Sequence, residues 1–213
     1  MQDIKILSNY DDLQTGDIIL CHGYNPKGLD PGIDGVIEFF THSPWEHAGI
    51  IIRDPWWSNL KKGLYIYQSG DGPNCYKDVL NGKISGVTLN YFDDFMCNRQ
   101  HIYVRHINGP VWSENNKALF LNAFNKSHGE PYDTNCCSWF CAGINSFFFC
   151  KLCNCCIPRT SNTFWCSALV GYMYTEMGWI DKHTDWSSLT PEDLTKIKME
   201  KPYVLGDIIK IKQ

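Results

Sequence analysis

The 213-residue sequence has no surplus of positive charge, no apolar run of membrane-spanning length, no even set of cysteines and no internal repeat. Lys and Arg total 19 against 23 Asp and Glu, a formal net charge of −4. A protein that neutralises phosphates needs clustered cations, so nucleic acid is not the expected partner. The most apolar stretch, within 136–150, is about 15 residues against the roughly 20 of a bilayer span, and Asn145 and Lys151 interrupt the region. Met1-Gln2-Asp3-Ile4-Lys5-Ile6 shows no basic segment followed by an apolar one, so no secretory signal is expected. The 11 cysteines are odd in number, and a chain of this length does not need staples. A reducing, cytoplasmic compartment is the simpler expectation. Without a low-complexity linker, the chain reads as one domain over 1–213.

What is present is an ordinary globular composition, 44% hydrophobic and 20% charged, with a high aromatic content of 14%. Turn chemistry at Thr15-Gly16-Asp17 leads into Ile18-Ile19-Leu20-Cys21, a short buried strand. A loop rich in Gly and Pro follows over 23–34, then a short helix at 36–41. Ser43-Pro44 turns into a strand over 46–52. Period 2 places His47, Gly49 and Ile51 on one face of it and Glu46, Ala48, Ile50 and Ile52 on the other. Trp56 and Trp57 sit in a loop and read as exposed. Residues 64–69, 87–89 and 101–106 read as strands, with a helical turn at 91–95. Ser113 has N-cap chemistry, and Gly129 stops the helix it starts. A second helix opens at Cys166, capped by Asn162 or Thr163, with Gly178 at its end. Thr190-Pro191-Glu192-Asp193 is a helix start, and 203–209 is a last strand. Several strands followed by helices make an α+β pattern rather than alternating βαβ units.

Residues 136–156 hold seven of the cysteines together with Trp139, Phe140 and Phe147-Phe148-Phe149. Three readings apply to this insertion, which spans about 134–158. Its cysteines are small hydrophobes in a packed segment, or they are acylated and the aromatics touch a membrane surface, or they bind metal. No second Cys-x-x-Cys arm lies at zinc spacing, so the metal signal is weak and no metal or other cofactor is expected.

Cys166 differs from these cysteines in context. A thiolate, not a thiol, is the nucleophile, and a helix N-terminus, a nearby cation and exposure all lower a thiol pKa. The first turn of the Cys166 helix supplies the first of these, and its free amides can also hold an oxyanion. A base is needed as well. His47 opens a rigid strand with Gly49 leaving space on the same face. His22, His42, His101, His106 and His128 lie in loops, at element ends or at a strand surface. An antiparallel pairing of 47–52 with 64–69 brings Gln68 near His47 as the orienting group.

Six segments occur in one order: Thr15-Gly16-Asp17-Ile18-Ile19-Leu20; Ser43-Pro44-Trp45-Glu46-His47-Ala48-Gly49-Ile50; Tyr67-Gln68-Ser69-Gly70; Gly129-Glu130-Pro131-Tyr132-Asp133; Phe164-Trp165-Cys166-Ser167-Ala168-Leu169-Val170; and Thr190-Pro191-Glu192-Asp193-Leu194. In this the chain resembles the circularly permuted branch of the papain-like NlpC superfamily, with its YiiX-like bacterial proteins and relatives from large DNA viruses. The resemblance implies a permuted papain-like fold, an antiparallel sheet or small barrel with the cysteine helix packed against it. It implies catalytic Cys166, His47 and a polar third member on the next strand. Many YiiX-like members carry an acid there, where this chain has Gln68. Gln68 can hold an imidazole by hydrogen bonding but cannot stabilise imidazolium by charge. The implied activity is a thiol hydrolase cleaving an amide or ester through an acyl-enzyme. A lipid acyltransferase or phospholipase of the lecithin:retinol acyltransferase-like type is the alternative, and a non-catalytic binding module on the same fold is another. The partners to expect are a small amide, peptide or lipid substrate and, through 136–156, a membrane surface. A viral chain of this kind would act in the host cytoplasm or the virion.

Overall fold

A computed structural model describes residues 10–22, 44–71, 76–99, 101–110, 112–133 and 163–212. The loop at 23–34, the helix at 36–41, His42, Asn162 and the cysteine-rich insertion lie outside the described residues.

Six antiparallel strands form one open sheet in the order β4-β3-β2-β1-β5-β6. They are β1 (Ile18–His22), β2 (Trp45–Arg53), β3 (Leu64–Gly70), β4 (Gly86–Tyr91), β5 (Ile102–Asn108) and β6 (Val204–Lys212). β4 and β6 are its edges, so the described sheet is open and not the small barrel that was the other expectation. Four helices accompany it: α1 (Phe92–Asn98), α2 (Glu114–Ser127), α3 (Cys166–Glu176) and α4 (Pro191–Leu194). The class is α+β, as the order of elements predicts.

β1 sits in the middle, paired with β2 on one side and β5 on the other. A central strand covered on both faces is apolar on both, which is why Ile18-Ile19-Leu20-Cys21 does not alternate. One face collects Ile18, Leu20, Ala48, Ile50, Tyr65, Tyr67 and Leu89 against α2 and α3. The other collects Ile19, Cys21, Ile51, Ile66, Ile102 and Val104 against Phe92 and Phe95 of α1.

α3 is the internal helix, with every residue from Cys166 to Tyr174 buried. A helix apolar all round belongs inside a fold. Tyr174 ties it to the first turn of the chain by donating to the Gly16 carbonyl at 2.6 Å. Ser113 caps α2 by accepting from the Asn116 amide, and Gly129 follows that helix with φ of 82°. Thr190 and Asp193 form a reciprocal capping box at α4. Trp57 departs from its exposed expectation. It is half-buried, its ring 5.0 Å from Phe124 and 5.5 Å from Phe120 of α2, while Trp56 remains on the outside.

Candidate active site

The site forms where the sheet splits. β2 and β3 pair only over Ile50–Arg53 and Leu64–Tyr67. Beyond Tyr67, β3 continues to Gly70 paired with β4 alone, and β2 towards its start is paired with β1 alone. The start of α3 is bound beside this gap. The Phe164 carbonyl accepts from the Ser69 hydroxyl at 2.5 Å, and Phe164 bridges Tyr132 in parallel. The Trp165 indole and the Ser167 hydroxyl both donate to the Leu189 carbonyl, at 3.0 and 2.6 Å. These bonds fix the position of Cys166 from three parts of the chain distant in sequence.

Cys166 is the first residue of α3, and the nearby backbone amides of Ala48 and Ser167 favour its thiolate. The residue before Ala48 is His47, on the strand against which α3 packs. Trp165 occupies the N-cap with no side-chain bond to the helix. This corrects the expectation of capping by Asn162 or Thr163: the helix starts too late for Thr163 to reach it, and Asn162 is outside the described residues. The first bond of the helix ladder runs from the Leu169 amide to the Trp165 carbonyl. The amides of Cys166, Ser167 and Ala168 are therefore not used by the helix ladder.

His47 is buried, with 7% of its surface exposed. Its Nε2 lies 2.7 Å from Gln68 Oε1. A chain of hydrogen bonds fixes which atoms donate. The Asn90 amide nitrogen donates to the carbonyls of Tyr76 and Lys77, at 3.2 and 3.1 Å. Carbonyls only accept, so Asn90 Oδ1 must point the other way, where it accepts from Gln68 Nε2 at 2.8 Å and the Thr88 hydroxyl at 3.0 Å. Gln68 then presents Oε1 to His47, and His47 Nε2 carries the proton it donates. Nδ1 is left as the basic nitrogen. Two backbone carbonyls thus set the tautomer of the imidazole through two amides.

Burial holds His47 well below its ordinary value, and the charge of Arg99 adds to this against the Gln68 bond. The imidazole is neutral near pH 7. Burial also pushes the Cys166 thiol up. The Ala48 and Ser167 amides and the Arg99 charge pull it down without overcoming that. The expectation of a lowered thiol pKa is corrected here. Helix start and cation are both present, but the third condition, exposure, is missing at 4%. At rest the site holds a thiol and a neutral imidazole.

Gly49 does not leave space for the site either. A Cβ there would lie 2.9 Å from Ile66 Cδ1 and 3.2 Å from the Tyr67 carbonyl, so its bareness serves the packing of β3 on β2. The other described histidines are engaged elsewhere. His106 Nδ1 and His128 Nε2 each lie 2.8 Å from a buried carboxylate, of Asp17 and Asp78, and His22 packs on Trp45 and Tyr103.

Three residues of this neighbourhood were not singled out from the sequence. Asn90 lies in a strand whose inward positions Thr88 and Asn90 are polar yet buried, a pattern visible only once the neighbouring Gln68 is known. Cys21 pairs with His47 between β1 and β2. Arg99 follows α1 with no motif around it. Among the described residues no group of His, Cys, Asp and Glu could hold a metal ion. No described helix is long and apolar enough to cross a membrane. Compared with models of known protein families and with curated proteins, the sequence matches none.

Proposed function

We propose that the chain is a cysteine-dependent hydrolase of amide or ester bonds, working through an acyl-enzyme on a permuted papain-like arrangement. The observation that carries this reading is the fixed tautomer. His47 has Nδ1 basic and Nε2 locked on Gln68, and the helix that Cys166 starts packs on the strand that carries this histidine.

Sγ of Cys166 forms a bond to the substrate carbonyl carbon as His47 Nδ1 takes the thiol proton. The carbonyl π electrons move to oxygen, and the amides at the start of α3 are the donors at hand for that oxyanion. Collapse expels the amine or alcohol, which takes the proton from the imidazolium, and leaves a thioester. Water then adds with its proton passing to His47, and the thiol is restored as the acid departs. Because Gln68 carries no charge, it orients the imidazole but gives imidazolium no Coulombic support. Concerted transfer from a thiol to a neutral base suits this site better than a standing ion pair.

Release to a lipid-borne acceptor instead of water would make the same intermediate an acyltransferase. A panel of peptides, small amides and phospholipids, compared between wild type and Cys166→Ala with product analysis, tests both. Hydrolysis that the substitution abolishes is the expected result. Equal turnover by the two proteins would remove Cys166 from the reaction, and none on any substrate by wild type would favour a binding module.

A further inference from the structure

The cation of this site is Arg99, and the described protein gives it little to do. Its guanidinium lies over the Phe95 ring at 5.2 Å, and that ring is 6.2 Å from the His47 imidazole. Its charge reaches the thiol of Cys21, the residue paired with His47 across β1 and β2. Its charge acts on Cys21, His47 and Cys166 alike. Among the described residues no carboxylate lies within ion-pair distance of it. Its Nε is buried with no acceptor among the described residues. A guanidinium has five donors, and a buried one left unpaired is costly unless a ligand completes it. The side chain is half-buried, so solvent reaches part of it.

We propose that Arg99 anchors an anionic group, a carboxylate or a phosphate, which the acyl substrate carries beside its scissile carbonyl. The inference rests on Cys166 being the nucleophile and deepens that reading by naming the substrate class. Planar, bidentate recognition of such oxyanions is what a guanidinium does best. A role confined to holding the thiolate would need no unpaired donor, and here Nε is one.

Two alkylating reagents separate these roles. Iodoacetate is an anion and iodoacetamide is its neutral counterpart, and both consume the same thiolate. Their rate ratio at one pH therefore cancels any effect of Arg99 on the thiol. Site-resolved mass spectrometry should give a ratio at Cys166 above that of exposed Cys97 in the same chain. The expected excess is on the order of 10- to 100-fold, the range of one charge-assisted hydrogen bond. Arg99→Met should bring the ratio to that of Cys97, and Arg99→Lys should keep part of it. On the wild-type protein, which needs no substitution to fold, inorganic phosphate or succinate should slow alkylation of Cys166 by iodoacetamide. Whichever protects identifies the anion. A ratio at Cys166 no higher than at Cys97, a ratio unchanged in Arg99→Met, or protection by neither anion overturns the proposal while leaving the nucleophile intact. No alkylation of Cys166 by either reagent overturns the nucleophile and this inference with it.

Discussion

At the scale of single residues, protonation states decide how Cys166 works. The raised thiol and the lowered imidazole separate two pH dependences. Alkylation needs thiolate, so its rate at Cys166 should climb about tenfold per pH unit through neutrality towards the raised thiol pKa, without a plateau near pH 6. Acyl transfer needs the neutral imidazole, which is already present, so kcat/KM should stay flat from about pH 6.5 to 8. An alkylation plateau in acid would mean a standing thiolate–imidazolium pair, and two parallel rising curves a thiolate formed before attack. Asn90 matters through another residue. Asn90→Leu removes the acceptor that turns Gln68 and strands the carbonyls of Tyr76 and Lys77. Turnover should fall on the order of 10- to 100-fold, as when other supporting groups are lost. Iodoacetamide labelling of Cys166, which does not use the imidazole, should stay near wild type. Stability should fall by about 1–3 kcal/mol for each buried group left unpaired.

At the scale of elements, the split between β2 and β3 places the site, and two glycines hold the strands around it. Gly86 starts β4 with φ of 89°, and a Cβ there would lie 2.3 Å from the Glu130 carbonyl, which accepts the Val87 amide at 2.8 Å. Both conformation and backbone contact forbid a side chain. Gly49 has an ordinary φ, and its nearest contact is the end of the buried Ile66 side chain. Gly49→Ala should cost about 1–3 kcal/mol as overpacking. Gly86→Ala should cost more, because backbone cannot yield as a methyl group can. Denaturant midpoints check the order, and an equal loss for the two would contradict it. Much at this scale was legible in the sequence. Ser113, the Thr190–Asp193 box and Gly129 are local signals, and each stands at the end of the element it predicts. The α3 cap was not legible, because Trp165 holds the helix start by bonding Leu189 rather than the helix itself. Nor was the role of Gly49, which depends on a residue 17 positions away in another strand.

At the scale of the molecule, the six sequence segments of the resemblance are distant in the chain and close in space around α3. His47 and Gln68 meet through their side chains where β2 and β3 part, because the ladder stops at Ile50 and Tyr67 instead of running over 47–52 and 64–69 as expected. Sheet order and the second rank of polar residues depend on non-local contacts that no local pattern encodes, and Asn90 and Arg99 were therefore missed. Acid stability is a property of the whole fold. The unfolded chain protonates His47 near its ordinary value of 6.5, whereas the folded chain does not until well below it. The unfolded state then binds more protons, so stability should fall as pH drops below 6.5. Asp78 adds a second limb. Burial alone would raise its pKa, but His128 and the amides of Leu89 and Asn81 outweigh that and hold it below 3.8. Its contribution is present above 3.8 and is lost as pH falls through the folded value. Thermal melting against pH should show both limbs, and His47→Gln should remove only the first. An unchanged first limb in that variant would assign it to another group.

The central claim is that Cys166 attacks a carbonyl with His47 taking its proton. The most direct test is to mix the protein with an activated acetate ester near pH 7, quench in acid, and locate the acetyl group by intact-mass and peptide mass spectrometry. The account predicts one acetyl group on Cys166 in the wild type, none there in Cys166→Ala, and much slower acylation in His47→Ala. A wild type whose Cys166 stays unmodified, or a His47→Ala protein acylated as fast as wild type, would contradict it.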